Sequence, residues 1–161
     1  GPDNAVWAMY TAQLDRVEGK DNMQFTAVVR CQKSTDGGKT WGDYTTVFPE
    51  EGTFCRQPIQ VLSNGRWIFA NWLCTDSAEG LSGDPTAFRI SDDEGKTWRM
   101  VMMPGSNGHV HAHVIETEPG HLVAFMRNRE AYRIHRSESF DWGETWTVPA
   151  PTPRMRRTLP T

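Results

Sequence analysis

Short apolar runs set the rhythm of this chain. Val6-Trp7-Ala8-Met9-Tyr10, Trp67-Ile68-Phe69-Ala70 and Leu122-Val123-Ala124-Phe125-Met126 are apolar at consecutive positions, with clusters of Gly, Asp, Asn and Ser between them. Runs of this length predict strands buried on both faces, packed between neighbouring sheets rather than half in water. No stretch carries the 3.6-residue period of an amphipathic helix. The chain is read as all-β.

The polar clusters repeat. Ser34-Thr35-Asp36-Gly37-Gly38-Lys39-Thr40-Trp41 returns as Ser91-Asp92-Asp93-Glu94-Gly95-Lys96-Thr97-Trp98, and again as Ser139-Phe140-Asp141-Trp142-Gly143-Glu144-Thr145-Trp146. In this S-x-D-x-G-x-T-W pattern the Asp and Ser side chains are expected to bond backbone N–H groups two residues on. The Gly at the fifth position supplies a positive φ. Each copy predicts a tight turn, with a strand starting at its Thr-Trp and the Trp offering a large area for burial. Residues that satisfy their own backbone in this way are scaffold rather than chemistry.

The copies start 57 and then 48 residues apart, the size of one four-stranded propeller blade. A second correspondence supports that unit. The segment from Arg56 to Gly65 lies over the segment from His111 to Gly120, and apolar strands follow at Trp67–Leu73 and Leu122–Met126. Strand one then begins at Arg56 or His111, strand three ends in the repeated turn, and strand four follows its Trp. The blades fall at about residues 1–50, 51–104 and 105–153, with an off-pattern, arginine-bearing tail at 154–161. The pattern opens on strand two of a blade. The chain is therefore expected to be about three blades of a longer propeller, with open sheet edges through which it self-associates if isolated.

Strand alternation orients the chemistry. Loops joining strands two and three share a face with the starts of strand one, and the repeated turns lie on the other face. Arg56, His111, Arg127-Asn128 and the long loop Cys74–Asp84 should converge on one side. Long loops on a rigid scaffold commonly carry function.

Composition adds exclusions more than direction. The net charge of −3 gives no reason to expect a nucleic-acid partner, and no apolar run approaches the length of a membrane span. Three cysteines without close spacing favour neither a disulfide framework nor a Cys-based metal site. His109, His111 and His113 alternate, so a regular strand would line them on one face, as zinc binding needs. No carboxylate or Cys at a ligand spacing completes that row, so no metal or other cofactor is expected.

The three repeated turns resemble the Asp boxes of the sialidase (neuraminidase) superfamily, whose propellers are six-bladed. The resemblance covers nearly all of residues 1–153. Phe54-Cys55-Arg56-Gln57-Pro58-Ile59 is similar to the family's F/Y-R-I-P segment, with Cys55 inserted. That likeness implies that Arg56 binds the substrate carboxylate, a task suited to a guanidinium fork. The stretch from His111 to Asn128 is similar to the family's E-C-Q-V-x-E … L-L-x-N-A-R-S, which places Arg127 on a second carboxylate-binding position. His111 falls where the family has the Glu that activates its Tyr nucleophile. The family's acid/base Asp lies in the loop that here offers Asp76, Glu79 and Asp84, and Asp76 and Asp84 are the candidates. Tyr132 faces the same side but matches no family motif.

The resemblance implies an exo-acting glycoside hydrolase that removes a terminal acidic sugar from glycans, in a secreted or periplasmic setting. The His at the Glu position leaves two alternatives. One is another enzyme of acidic polysaccharides, such as a lyase with His111 as the base. The other is a non-catalytic propeller that binds glycan or protein. Residues 1–161 alone are expected to be inactive, because the family's Tyr and its last triad arginine lie later in the chain.

Overall fold

A computed structural model of the chain describes residues 4–13, 18, 24–74, 83–130 and 133–153. Among the described residues, twelve strands form three antiparallel sheets taken from consecutive stretches of sequence. The first holds β1 (Val6–Gln13), β2 (Ala27–Ser34) and β3 (Thr45–Phe48), with a short 3₁₀ turn at Gln24–Thr26 before β2. The second runs β4-β6-β7-β8, from β4 (Thr53–Cys55), β6 (Trp67–Leu73), β7 (Thr86–Ser91) and β8 (Arg99–Met102), and β5 (Gln60–Val61) also pairs with β6. The third runs β9 (His109–Glu118), β10 (His121–Asn128), β11 (Ile134–Ser139) and β12 (Ala150–Pro151). The sheets resemble propeller blades and do not close into a ring among the described residues.

Burial explains why the apolar runs show no alternation. All six residues of β7 and the first six of β6 are buried, because the second sheet is covered on both faces. On one side Phe69 meets Val29 and Phe48 of the first sheet. On the other, Ile68, Phe88 and Ile90 meet Ala112, Val114, Leu122 and Met126 of the third. The first strand of the second blade is not continuous. It splits into β4 and β5 around Arg56–Ile59, where Pro58 has no N–H to give to the ladder.

The repeated turns close in the same way three times. The Ser hydroxyl accepts from the N–H of the fifth-position Gly at 2.9, 2.8 and 2.9 Å. The Asp takes the seventh-position Thr through both its N–H and its hydroxyl, at 2.9 and 2.6 Å for Thr40, 2.8 and 2.6 Å for Thr97, and 2.9 and 2.5 Å for Thr145. The Asp thus reaches an N–H four residues on, rather than the two expected, because two successive residues adopt positive φ. Gly37 and Gly38 do so, and so do Glu94 with Gly95 and Trp142 with Gly143, so the fourth position is left-handed even where it is not Gly.

The turn Trp is not uniformly buried. Trp146 packs against Phe88 at 4.2 Å and is buried, Trp98 lies edge-on to Phe48 at 5.5 Å, and Trp41 is 42% exposed. Trp98 and Trp146 each cover the sheet before their own. Strand four starts directly after Trp98 but only at Thr45 and Ala150 in the other two copies.

Across this face Arg66 ties two boxes together. It donates to Asp92 at 2.6 Å, to the Trp142 carbonyl at 3.1 Å and to Glu144 at 2.7 Å. The hydrogen bonds inside each turn lower its own carboxylate. The Thr97 hydroxyl and N–H, with the Ser91 hydroxyl, hold Asp93 at about 2, and Thr40 holds Asp36 well below the usual carboxylate range. In Asp141 burial pushes upward, but the bonds from Thr145 and Ser139 outweigh it.

Gly38 and Gly143 share a φ of +89° but differ in surroundings. A Cβ on Gly143 would meet Ile68 Cδ1 at 2.9 Å, whereas one on Gly38 would meet nothing closer than Trp41 at 3.8 Å. Gly38→Ala should cost only the left-handed penalty of about 1–2 kcal/mol. Gly143→Ala should lose a further ~1–3 kcal/mol from overpacking. Thermal unfolding of the two variants checks this, and equal losses would show that the sheets part easily. Asp93 carries its own acid signature. A carboxyl held at about 2 when folded stabilises the protein fully above its ordinary titration range and loses that contribution as pH falls through the folded value. The gap in Tm between wild type and Asp93→Asn should be widest at neutral pH and close between about pH 4 and 2.

Candidate active site

The opposite ends of the central strands bear the chemistry. β6 runs from Trp67 and Ile68, beside the repeated turns, to Trp72 and Leu73 about 20 Å away at ordinary strand rise. At that far end Trp72 is buried, stacks on Phe54 at 5.2 Å and carries the His111 ring edge-on at 4.6 Å. Asn71 fixes this end by donating to the Phe54 carbonyl at 3.1 Å.

His111 reaches Trp72 through a bulge. β9 and β10 pair in register from Val123 to Phe125, which faces His113, and then slip, so that Arg127 faces Val110 and Asn128 faces His109. The extra residue is absorbed where His111 takes a φ of +59°. This corrects the expectation that the three histidines share a face. His109, paired with Asn128, lies on the opposite side of the sheet from His113, paired with Phe125. His109 packs against His135 at 4.3 Å and bonds the Asn107 carbonyl at 3.1 Å, away from His111. Among the described residues no group of three or more His, Cys, Asp or Glu is arranged to hold a metal ion.

The bulge aims His111 between two arginines. Arg127 Nε donates to His111 Nδ1 at 3.2 Å, and Arg56 Nη1 lies 3.4 Å from the same nitrogen. Burial pushes the imidazole down to about 4, and Arg127, Arg56 and Arg129 push the same way. Arg56 is exposed, Arg127 is partly exposed, and both guanidinium groups sit at the mouth.

Beneath them lies a residue that strand alternation did not single out. Arg129 follows the end of β10, where the period-two rule no longer orients a side chain. Its backbone N–H is held by the Gly108 carbonyl at 2.8 Å. Its side chain is 12% exposed, forms an ion pair with Asp84, and donates to Gln24 at 3.3 Å. Asp84 is fully buried. Cys74 lies beside this pair; burial and the nearby Asp84 push its thiol up to about 12, so it is not a nucleophile. Of the residues named from sequence, Arg56, His111 and Arg127 come together at the mouth and Asp84 lies in the floor. Asp76, Glu79, Tyr132 and the 154–161 tail lie outside the described residues.

A separate groove of about 970 Å³ runs between β1 and the Arg56–Ile59 segment, floored by Trp7 and Trp67. Arg56 borders it, but His111 and Arg127 do not.

Three turns closed by the same Ser and Asp bonds agree with the comparisons to known proteins. The model of the BNR repeat-like domain matches residues 1–156. The chain belongs to that family. It is a member of the sialidase superfamily. A sialidase from Bacteroides fragilis is 29% identical over 133 residues, which make up 78% of this chain and 24% of that protein. Among solved structures, the NanB sialidase from Streptococcus pneumoniae, in complex with 2-[(3-chlorobenzyl)ammonio]ethanesulfonate, is 26% identical with a TM-score of 0.63. The match covers 79% of this chain and 19% of that one. The intramolecular trans-sialidase from Ruminococcus gnavus, in complex with oseltamivir carboxylate, is 26% identical with a TM-score of 0.62, covering 78% of this chain and 27% of that one. This member of the superfamily thus spans about a quarter of the length of the curated relative it matches.

Breaking the buried pair under the site tests its structural weight. Asp84→Ala strands Arg129 in the interior and should cost ~3–5 kcal/mol, whereas Asp84→Ala with Arg129→Met should recover much of that loss. Urea unfolding measures both. A single-variant loss below about 1 kcal/mol would show that the pair does not hold up the floor of the site.

Proposed function

We propose that the protein is a sialidase-like glycoside hydrolase that binds a terminal acidic sugar, with Arg56 and Arg127 holding its carboxylate. The observation that carries this reading is the convergence of both guanidinium groups on one atom, His111 Nδ1, at 3.4 and 3.2 Å. Donor groups that meet at one point also reach one anion, and guanidinium is the side chain that fits a carboxylate fork to fork. The local charge agrees: Arg127, Arg56 and Arg129 all act on the His111 ring, and Asp84 is paired to Arg129. The solved relatives hold a carboxylate and a sulfonate, which fits a site of this kind.

Of the two candidate carboxylates between β6 and β7, one is taken by an ion pair. Asp84 is committed to Arg129 and holds the floor in place. The proton donor to the leaving group is assigned to Asp76, the loop's other candidate carboxylate. The lyase alternative needs an unprotonated His111 nitrogen facing the substrate, and Nδ1 faces the two arginines instead.

In the full-length protein, Arg56→Ala and Arg127→Ala should each raise the Kd for N-acetylneuraminic acid by about tenfold or more. Lysine at either position should restore only part of it, because an ammonium cannot reproduce the fork. Calorimetric titration with circular dichroism melts separates lost binding from lost folding. Unchanged affinity in both alanine variants would overturn the clamp.

A further inference from the structure

The family position that carries a charged base is a histidine here, and its surroundings define what it can do. Guanidinium groups have donors only. Arg127 Nε–H points at His111 Nδ1, so Nδ1 must offer a lone pair and the ring proton must sit on Nε2. Arg56, beyond the end of β4, presents a second donor to the same nitrogen. Arg129, after β10, adds positive charge from below, and Asp84, before β7, is paired to Arg129 rather than to the imidazole. Trp72 of β6 supplies an uncharged wall. A second ring proton would set N–H against N–H on the Arg127 side.

The backbone holds the ring in this place. His111 occupies the left-handed region at the point where the β9–β10 register slips, a costly conformation that persists only where the surroundings impose it. Continued from the His113–Phe125 pairing, the regular register would set His111 directly opposite Arg127; the bulge puts Val110 there instead and shifts the imidazole along the strand. In that shifted place His111 Nδ1 lies 3.2 Å from Arg127 Nε and 3.4 Å from Arg56 Nη1.

We propose that His111 is a positioning residue, a neutral imidazole whose Nδ1 sets the direction and spacing of Arg127 and Arg56 without cancelling their charge. A carboxylate at this point would hold the same two groups but neutralise one of them. The imidazole leaves both charges for the ligand, so the site suits a strongly acidic sugar. The ring's low proton affinity fits this role, since the arrangement survives until about pH 4. The consequence for ligand rests on the clamp reading, whereas the tautomer and the hydrogen bond to Arg127 do not.

The test has a ligand-free arm and a binding arm, both in the full-length protein. Nitrogen-15 NMR should find Nδ1 of His111 unprotonated and Nε2 protonated from pH 5 to 8. The Arg127 Nε–H resonance should be shifted and protected in wild type and in His111→Gln, whose side-chain oxygen also accepts, but not in His111→Leu. A protonated Nδ1, a His111 that titrates near neutral pH, or an Arg127 resonance indifferent to His111→Leu would overturn the proposal, even if the variants bind poorly for other reasons. In the binding arm, His111→Gln should hold N-acetylneuraminic acid within about threefold of wild type at pH 6. His111→Leu should weaken binding by about tenfold. Wild type, but not His111→Gln, should lose affinity as pH falls through about 4, which separates the imidazole from the ligand's own carboxylate. Equal weakening in both variants, or identical pH profiles, would overturn the positioning role. Failure of wild type to bind the sugar would overturn the clamp reading alone, and the NMR arm would still decide the tautomer.

Discussion

The structure depends on a backbone problem solved three times. Two consecutive left-handed residues let a chain leave one strand and enter the next within a few positions, but they cost conformational energy and turn N–H groups away from the ladder. The Ser and Asp of each box collect those N–H groups, and the Thr hydroxyl locks the Asp. The box can then press its glycine on the preceding sheet, as Gly143 does against Ile68 and Ile90. The two junctions between sheets follow from this docking together with Trp98 and Trp146.

A rigid, doubly covered second sheet is what makes the other face useful. β7 is buried from end to end and β6 as far as Trp72, so Trp72 near the far end of β6 is a fixed wall rather than a mobile side chain. On that wall the bulge in β9 turns one strained residue toward two arginines. The carboxylate of Asp84 is fully buried and paired to Arg129. Around His111 the described groups are the guanidinium donors of Arg56 and Arg127, on which the proposed acidic-sugar site rests.

The box residues act on stability and register, and the site residues act on charge. Arg66 and Arg127 illustrate the split. Both are arginines near turns or strand ends, but Arg66 is consumed by Asp92, Glu144 and the Trp142 carbonyl. Arg127 donates to His111 Nδ1, and in the proposed reading its charge is left for a ligand.

The sequence by itself determined the all-β class, the repeat, the turns and the side of the sheet on which Arg56, His111 and Arg127 would meet. Those features are local or periodic: turn chemistry is written in a few adjacent residues, and strand alternation carries an orientation along the chain. Tertiary structure decided the rest. Alternation predicted one row of three histidines, but a bulge is set by how two strands pair, so only the fold could separate His109 from His111. Asp84 was legible as a loop carboxylate, but not as the buried partner of Arg129, because that pairing joins residues 45 positions apart. The fourth-position left-handed residues Glu94 and Trp142 were hidden for the same kind of reason. Their conformation comes from the hydrogen bonds that close the box around them, not from any preference of their own.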